Sequence, residues 1–206
     1  MSDEIRQCII DKAQKLFFRY GIRSITMDFI ASELGMSKRT LYEIFTNKDA
    51  LIIACMEKGR KEQENDMCEI FNSQANTIEK LVRCYSKIIH YVNQTSRSFQ
   101  LDVEQMRSKV NEEIVKNREK QYEYIRNILN MGVEEGLVRS DLNIDIVTIL
   151  HNSQMEWFRK SQMPGSDEWN FAEVLSTVMR IFLYGIVTEK GAKVLDENYD
   201  LITQTL

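Results

Sequence analysis

The chain has 206 residues, 43% of them hydrophobic and 28% charged, with one proline and eight glycines. That balance excludes a disordered or collagen-like chain, and so few breakers argue for helix nearly throughout. Net charge is −4, but between Lys12 and Lys48 seven basic residues face only three acidic ones, Asp28, Glu33 and Glu43, a local positive patch suited to nucleic acid.

The elements follow in chain order. Residues 3–20 read as an amphipathic helix, because Ile5, Ile9, Ala13, Leu16, Phe17 and Tyr20 recur at the 3.6-residue period. Gly21 is placed to end it. Thr26 is a good N-cap for a second helix, and Asp28 then sits in its first turn, where the helix dipole favours an anion. Gly35 stops that helix. Ser37 caps a third, running to about Phe45. Asn47 caps a fourth that extends to about Asn72, with Lys48 at its first position. A cation there opposes the dipole and has a use if it reaches a phosphate; the alternative is a solvated lysine at small cost. Further helices are predicted over about 76–94, 98–107, 109–135, 144–162, 167–189 and 192–204. Gly136 and Leu137 make a Schellman-like stop, Asn143 and Ser166 are caps, Pro164-Gly165 is a turn, and Gly191 marks the end of the helix over 167–189.

No run of about eighteen apolar residues is present, so no membrane span is expected. The N-terminus lacks the basic-then-apolar order of a signal peptide. Cys8, Cys55, Cys68 and Cys84 lack CxxC spacing and are expected to be reduced and mostly buried in a cytoplasmic protein. Cys84, next to Arg83, is the one cysteine with a cation as its immediate sequence neighbour, the feature a thiol sensor would use. His90 and His151 are far apart in sequence, so no metal site and no cofactor are expected.

The first 45 residues carry the functional signal. Three helices fit within them, and a glycine separates the second from the third. The third is short and polar: Lys38, Arg39, Thr40, Tyr42 and Glu43 are hydrogen-bonding types, while Leu41 and Phe45, four apart, pin it to its neighbours. This is how a helix-turn-helix reads the DNA major groove. A small helical subdomain with a solvated face has the same composition.

The run Ile9, Ala13, Leu16-Phe17, Tyr20-Gly21, Ile25-Thr26-Met27, Ile30-Ala31, Leu34-Gly35-Met36-Ser37-Lys38, Thr40-Leu41-Tyr42, Phe45, Lys48 and Leu51 resembles the DNA-binding domain of tetracycline-repressor-like (TetR) bacterial transcription factors. The resemblance implies an all-α fold: a helix-turn-helix domain over 1–47 and a helical effector-binding and dimerisation domain over 48–206. It implies that Thr26 hydrogen-bonds a phosphate, that Lys38, Arg39 and Thr40 face base edges and adjacent phosphates, that Tyr42 contacts the backbone, and that Lys48 reaches a phosphate. Ser37, the cap, belongs to the same DNA-binding set. Ala31, Leu41 and Phe45 are packing residues. Where the family often has a small residue, Arg39 adds a potential guanine reader. Glu43, where rings are common, either accepts from a cytosine amine or repels phosphate.

In the C-terminal part, the helices over 144–162 and 167–189 are apolar around most of their circumference. A helix apolar all round must be buried all round. A two-fold dimer satisfies both faces, with Trp157, Phe158, Phe171, Leu175, Val178 and Phe182 at the interface. Between these parts, Cys84, Tyr85, Ile88, Phe99, Met106, Tyr122 and Ile125 are soft or polar members of apolar faces. The resemblance implies that they enclose a small apolar or amphipathic organic effector; ordinary core packing explains the same residues.

The function expected is a homodimeric regulator that binds double-stranded operator DNA, a repressor released by a small molecule. The alternative is an activator, or a regulator governed by a protein partner without an effector. An enzyme is not expected, because no nucleophile–base pair, phosphate loop or metal spacing stands out.

Overall fold

The computed structural model describes residues 2–107, 111–160 and 171–199. Ten helices lie among them: α1 Ser2–Tyr20, α2 Met27–Glu33, α3 Lys38–Ile44, α4 Lys48–Asn72, α5 Thr77–Gln94, α6 Arg97–Arg107, α7 Asn111–Glu134, α8 Ile144–Lys160, α9 Phe171–Ile186 and α10 Glu189–Asn198. The fold is all-α, with a helix-turn-helix at the N-terminus and a helical domain after it. No described helix is long and apolar enough to cross a membrane. The expected turn at Pro164-Gly165, the cap Ser166 and the last residues of the final helix lie outside the described residues.

Two compact units make up the chain: Met1–Cys68 with Gln94–Met106, and Glu69–Asn93 with Arg107–Leu206. The first unit extends well past residue 47. The first half of α4 supplies Leu51, Ile52, Ala54 and Cys55 to its core, and α6 supplies Phe99. These pack with Ile9, Ala13 and Phe17 of α1, Ile30 and Ala31 of α2, and Leu41 and Phe45 of the α3 segment.

Within this unit α6 is tied to the α1–α2 turn. The Ser96 amide donates to Phe18 O at 2.7 Å, and the Phe18 and Phe99 rings meet edge-on at 4.8 Å. Asp102, only 8% exposed, accepts from the Arg23 amide at 3.0 Å and pairs with its guanidinium at 3.4 Å.

The second unit has its own core. Ile78, Leu81, Val82, Tyr85 and Ile89 of α5 pack with residues from α7, α8, α9 and α10. A reciprocal capping box starts α5: the Glu79 amide donates to Asn76 Oδ1 and the Asn76 amide to Glu79 Oε2, both at 3.0 Å. Gly136, at φ +69, closes α7 in a Schellman motif, with Leu137 N donating to Gly132 O and Gly136 N to Val133 O.

Gly191 does not end a helix, contrary to the sequence expectation. The break falls at Val187-Thr188, where Val187 bridges Val138 and the Thr188 amide donates to Leu137 O at 3.0 Å. Thr188 Oγ1 then caps α10 by accepting from Gly191 N at 3.1 Å. Gly191 is required for space: a Cβ there would lie 2.1 Å from Leu137 O. Cysteine burial also departs from expectation. Cys55 and Cys84 are buried, but Cys8 and Cys68 are exposed. Burial pushes the Cys55 and Cys84 thiols up to about 12, so neither is a ready nucleophile despite Arg83 beside Cys84.

Gly191→Ala is expected to destabilise the fold by about 1–3 kcal/mol, the usual cost of overpacking. Gly59→Ala, whose Cβ would meet only Gln14 Nε2 at 3.4 Å, should be neutral or stabilising. Chemical denaturation of both variants checks this; equal effects would remove the steric account.

Candidate nucleic-acid interface

The helix-turn-helix is assembled from caps outward. Thr26 Oγ1 accepts from Phe29 N at 3.1 Å and starts α2. Gly35, at φ +64, stops it by the same Schellman pattern, with Met36 N donating to Ala31 O and Gly35 N to Ser32 O. Ser37 Oγ accepts from Thr40 N at 3.1 Å and starts α3 only four residues after α2 ends. Asn47 Oδ1 accepts from Ala50 N at 2.8 Å and starts α4. Each cap satisfies an amide that the first helical turn would otherwise leave open.

Burial then separates the two faces of α3. Leu41 is fully buried and Phe45 nearly so. Arg6 lies over the Phe45 ring at 5.1 Å. Lys38, Arg39 and Tyr42 are exposed, and Thr40 is half-buried. The side chain of Arg39 is 89% exposed. The surface therefore presents one guanidinium, one ammonium and three hydroxyls, from Ser37, Thr40 and Tyr42, along a helix pinned from behind. Thr26, exposed at the start of α2, still has its hydroxyl proton to donate, since its cap uses an acceptor lone pair.

Both α3 cations are already matched. Lys38 Nζ is ion-paired to Asp28, and Arg39 Nε to Glu43 Oε1 at 2.9 Å, one helical turn on. Exposed pairs of this kind contribute roughly 0–1 kcal/mol, so a phosphate or base edge can replace them. The pairing gives Glu43 a role that the sequence did not offer: it holds the guanidinium of Arg39. Lys48 stands at the first position of α4, as expected, and is half-buried. Burial pulls its ammonium below the usual lysine value, while the charges of Asp102 and Asp49 pull it back up.

This geometry has close counterparts. Residues 9–55 match the model for the bacterial regulatory proteins of the tetR family. The HTH-type transcriptional repressor KstR2 of Mycobacterium tuberculosis is 26% identical over 144 residues, covering 68% of this chain and 72% of its own. Over residues 9–55 the chain has the tetR-family helix-turn-helix. The HTH-type transcriptional regulator YhgD of Bacillus subtilis is 25% identical over 142 residues, covering 68% of this chain and 74% of its own. Among solved structures, a gamma-butyrolactone receptor (ArpA-like protein) superposes with a TM-score of 0.70 at 20% identity, over 99% of this chain and all of that one. KstR2 and YhgD are named as transcriptional regulators, and the receptor shares the fold.

The residues expected around an effector are divided between the two units. Phe99 and Met106 pack in the core of the first unit, because α6 belongs to that unit. Cys84 and Tyr85 are buried in the second unit, and Ile88 and Ile125 pack against its core. The Tyr85 hydroxyl has no hydrogen-bond partner among the described residues, and burial pushes its phenol up. Its ring lies 5.9 Å from that of His151. The Tyr122 hydroxyl donates to Asp145 O at 3.4 Å. The sequence reading missed an open cleft of about 330 Å³ in the second unit, lined by residues that include Phe71, Lys80 and Tyr124. The signal was present: Lys80 interrupts the otherwise apolar or small stripe Thr77, Leu81, Cys84 and Ile88.

The expected dimer residues also divide. Phe158, Leu175 and Phe182 are 6%, 2% and 5% exposed and lie in the second unit's own core rather than facing outward. The side chain of Phe171 lies outside the described residues. Trp157 is exposed and Val178 half-buried, and both border a groove with Ser153, Gln154 and Phe158. The outward apolar residues are Ile146, Ile149, Leu150 and Trp157 on α8, and Ile181 and Tyr184 on α9. Both faces of each helix are apolar, so periodicity could not tell the inner face from the outer one.

Ser37→Ala is expected to cost about 1 kcal/mol of stability without any DNA present, because it removes the α3 cap. Urea denaturation checks it; an unchanged midpoint would mean the cap contributes nothing.

Proposed function

We propose that the protein is a homodimeric repressor that binds operator DNA in the cytoplasm and is released by a small organic effector. The observation that carries this reading is α3 itself, a seven-residue helix whose inner side is fully buried and whose outer side is a row of hydrogen-bonding groups. Such a helix presents its leading residues to base edges in the major groove. Arg39 reads a base, Lys38 and Thr40 contact base edges and adjacent phosphates, and Thr26, Ser37, Tyr42 and Lys48 fix the register on the backbone. KstR2, at 26% identity, is named a repressor, and the ArpA-like neighbour is named a receptor. Both names support the repressor and effector parts of the reading.

A second copy of the chain covers the outward stripe of α8 and α9. Ile146, Ile149, Leu150 and Trp157 follow the helical spacing along α8, and Ile181 is 68% exposed on α9. A row of large apolar side chains left in water is unusual for a monomer. A two-fold axis through this face supplies two reading heads, which matches a pseudo-palindromic operator with half-sites about 34 Å or a multiple apart. Effector binding in the region of residues 48–137 acts on α4, which starts in the reading unit, and changes the spacing of the heads.

Lys48→Ala should weaken binding to operator and random DNA alike and lower the salt slope by about one unit. Arg39→Ala should instead erase preference, costing about 1–3 kcal/mol on the operator alone. Competition gel shifts across a salt series distinguish the two, and equal losses on both DNAs for Arg39→Ala would refute base reading. For assembly, Ile149→Glu or Ile181→Glu should give monomers with native helix content that no longer hold the operator. Sedimentation of a folded, operator-competent wild-type monomer would overturn the dimer.

A further inference from the structure

We propose that the cleft between the last turn of α4, the first turn of α5 and the middle of α7 binds an apolar carboxylate, with Lys80 as its counter-charge. The inference rests on the effector reading above and names the chemistry of that effector.

Lys80 is the anomaly that prompts it. The residue is only 6% exposed, yet its side chain has neither an ion pair nor a hydrogen bond among the described residues. Lysines are seldom buried so deeply; here the stem is covered, while the ammonium is not among the fully buried unpartnered atoms and so keeps an open side. Lys80 lines the cleft, so an entering group can meet its ammonium there.

The rest of the cleft defines what enters. Phe71 and Tyr124 form a tilted aromatic pair with ring centroids 4.4 Å apart. Tyr124, Ile128 and Met131 fall at i, i+4 and i+7 along α7, so they make one continuous apolar wall. Asn127, on the same helix, offers an amide that can donate. The space of about 330 Å³ is at the lower end of the range for small-molecule sites. An apolar wall with one unpaired cation and one amide donor fits a small amphipathic molecule with a single negative charge.

Glu123 also lines the cleft, but it is exposed, where water screens its charge. It disfavours a doubly charged phosphate more than a carboxylate, because the second negative charge would find no cation. The aromatic pair could seat a quaternary ammonium, but the neighbouring Lys80 would repel it.

The test uses the full-length protein with dodecanoate, octanoate and phenylbutyrate as carboxylate probes. Dodecanol serves as the neutral control and dodecyltrimethylammonium as the cationic one. Calorimetry should show saturable binding of at least one carboxylate. Lys80→Met keeps the stem and removes the charge. It should weaken carboxylate binding by about tenfold or more, the worth of one charged hydrogen bond, and leave dodecanol within about twofold. Lys80→Arg should restore the carboxylate preference, and Tyr124→Ala should weaken carboxylate and alcohol together. These two variants keep the test valid if Lys80→Met folds poorly. No saturable carboxylate binding, equal affinity in wild type and Lys80→Met, or a preference for the ammonium probe would overturn the assignment. Gel shifts with the same probes separate this inference from the reading it rests on. Lys80-dependent carboxylate binding that leaves the operator complex intact upholds the site and removes effector release. Operator release by some other small molecule, with no carboxylate bound, upholds release and removes the site.

Discussion

The burial of Leu41 and Phe45 is the contact on which the reading head depends. A helix of seven residues has no stability of its own in water, because nucleation costs more than its few hydrogen bonds return. Two side chains four residues apart, each buried at the 0–3% level, hold it in place from one side. Burying each contributes on the order of 2 kcal/mol. The caps at Ser37 and Asn47 fix where the helix starts and where the chain leaves it. With both ends and one face secured, every other position on α3 is free to be polar. That is why an element this short can carry Lys38, Arg39, Thr40 and Tyr42 together.

The second unit is organised by a different device. The ends of α7 and α9 are stitched by Arg139 N to Ile186 O, Thr188 N to Leu137 O, and the Val138–Val187 bridge. Thr188 also donates through its hydroxyl to Gly136 O while capping α10 at Gly191. Gly191 allows the chain to pass this close, so the α9–α10 break follows from steric fit rather than from a helix-ending signal.

Much of this was legible in the sequence because helix ends are local chemistry. Thr26, Gly35, Ser37, Asn47 and Gly136 act where their side chains and φ preferences said they would. Gly191 misled because the same residue type serves close approach as well as termination. Tertiary placement was less legible. The apolar period of α6 looks the same whether it packs with the reading unit or with the C-terminal body, so the sequence did not show that Phe99 and Met106 pack with the first unit's core. The two apolar faces of α8 and α9 were likewise indistinguishable, so the sequence did not show that Phe158, Leu175 and Phe182 lie in the second unit's own core. Lys80 went unnoticed because a lysine in an amphipathic helix is unremarkable until its burial is known.

If α3 reads DNA as proposed, its ion pairs set how fast the protein finds its target. A head with bare cations would cling to any duplex, and each encounter with the wrong sequence would last longer. Lys38 and Arg39 instead arrive carrying Asp28 and Glu43 as internal competitors. On random DNA the exchange of one carboxylate for one phosphate would be nearly even, so dwell times would stay short and the protein would keep moving along the duplex. Only where a base edge adds its own hydrogen bonds does the exchange become clearly favourable. On that reading the same two carboxylates would shorten the search and make arrest selective.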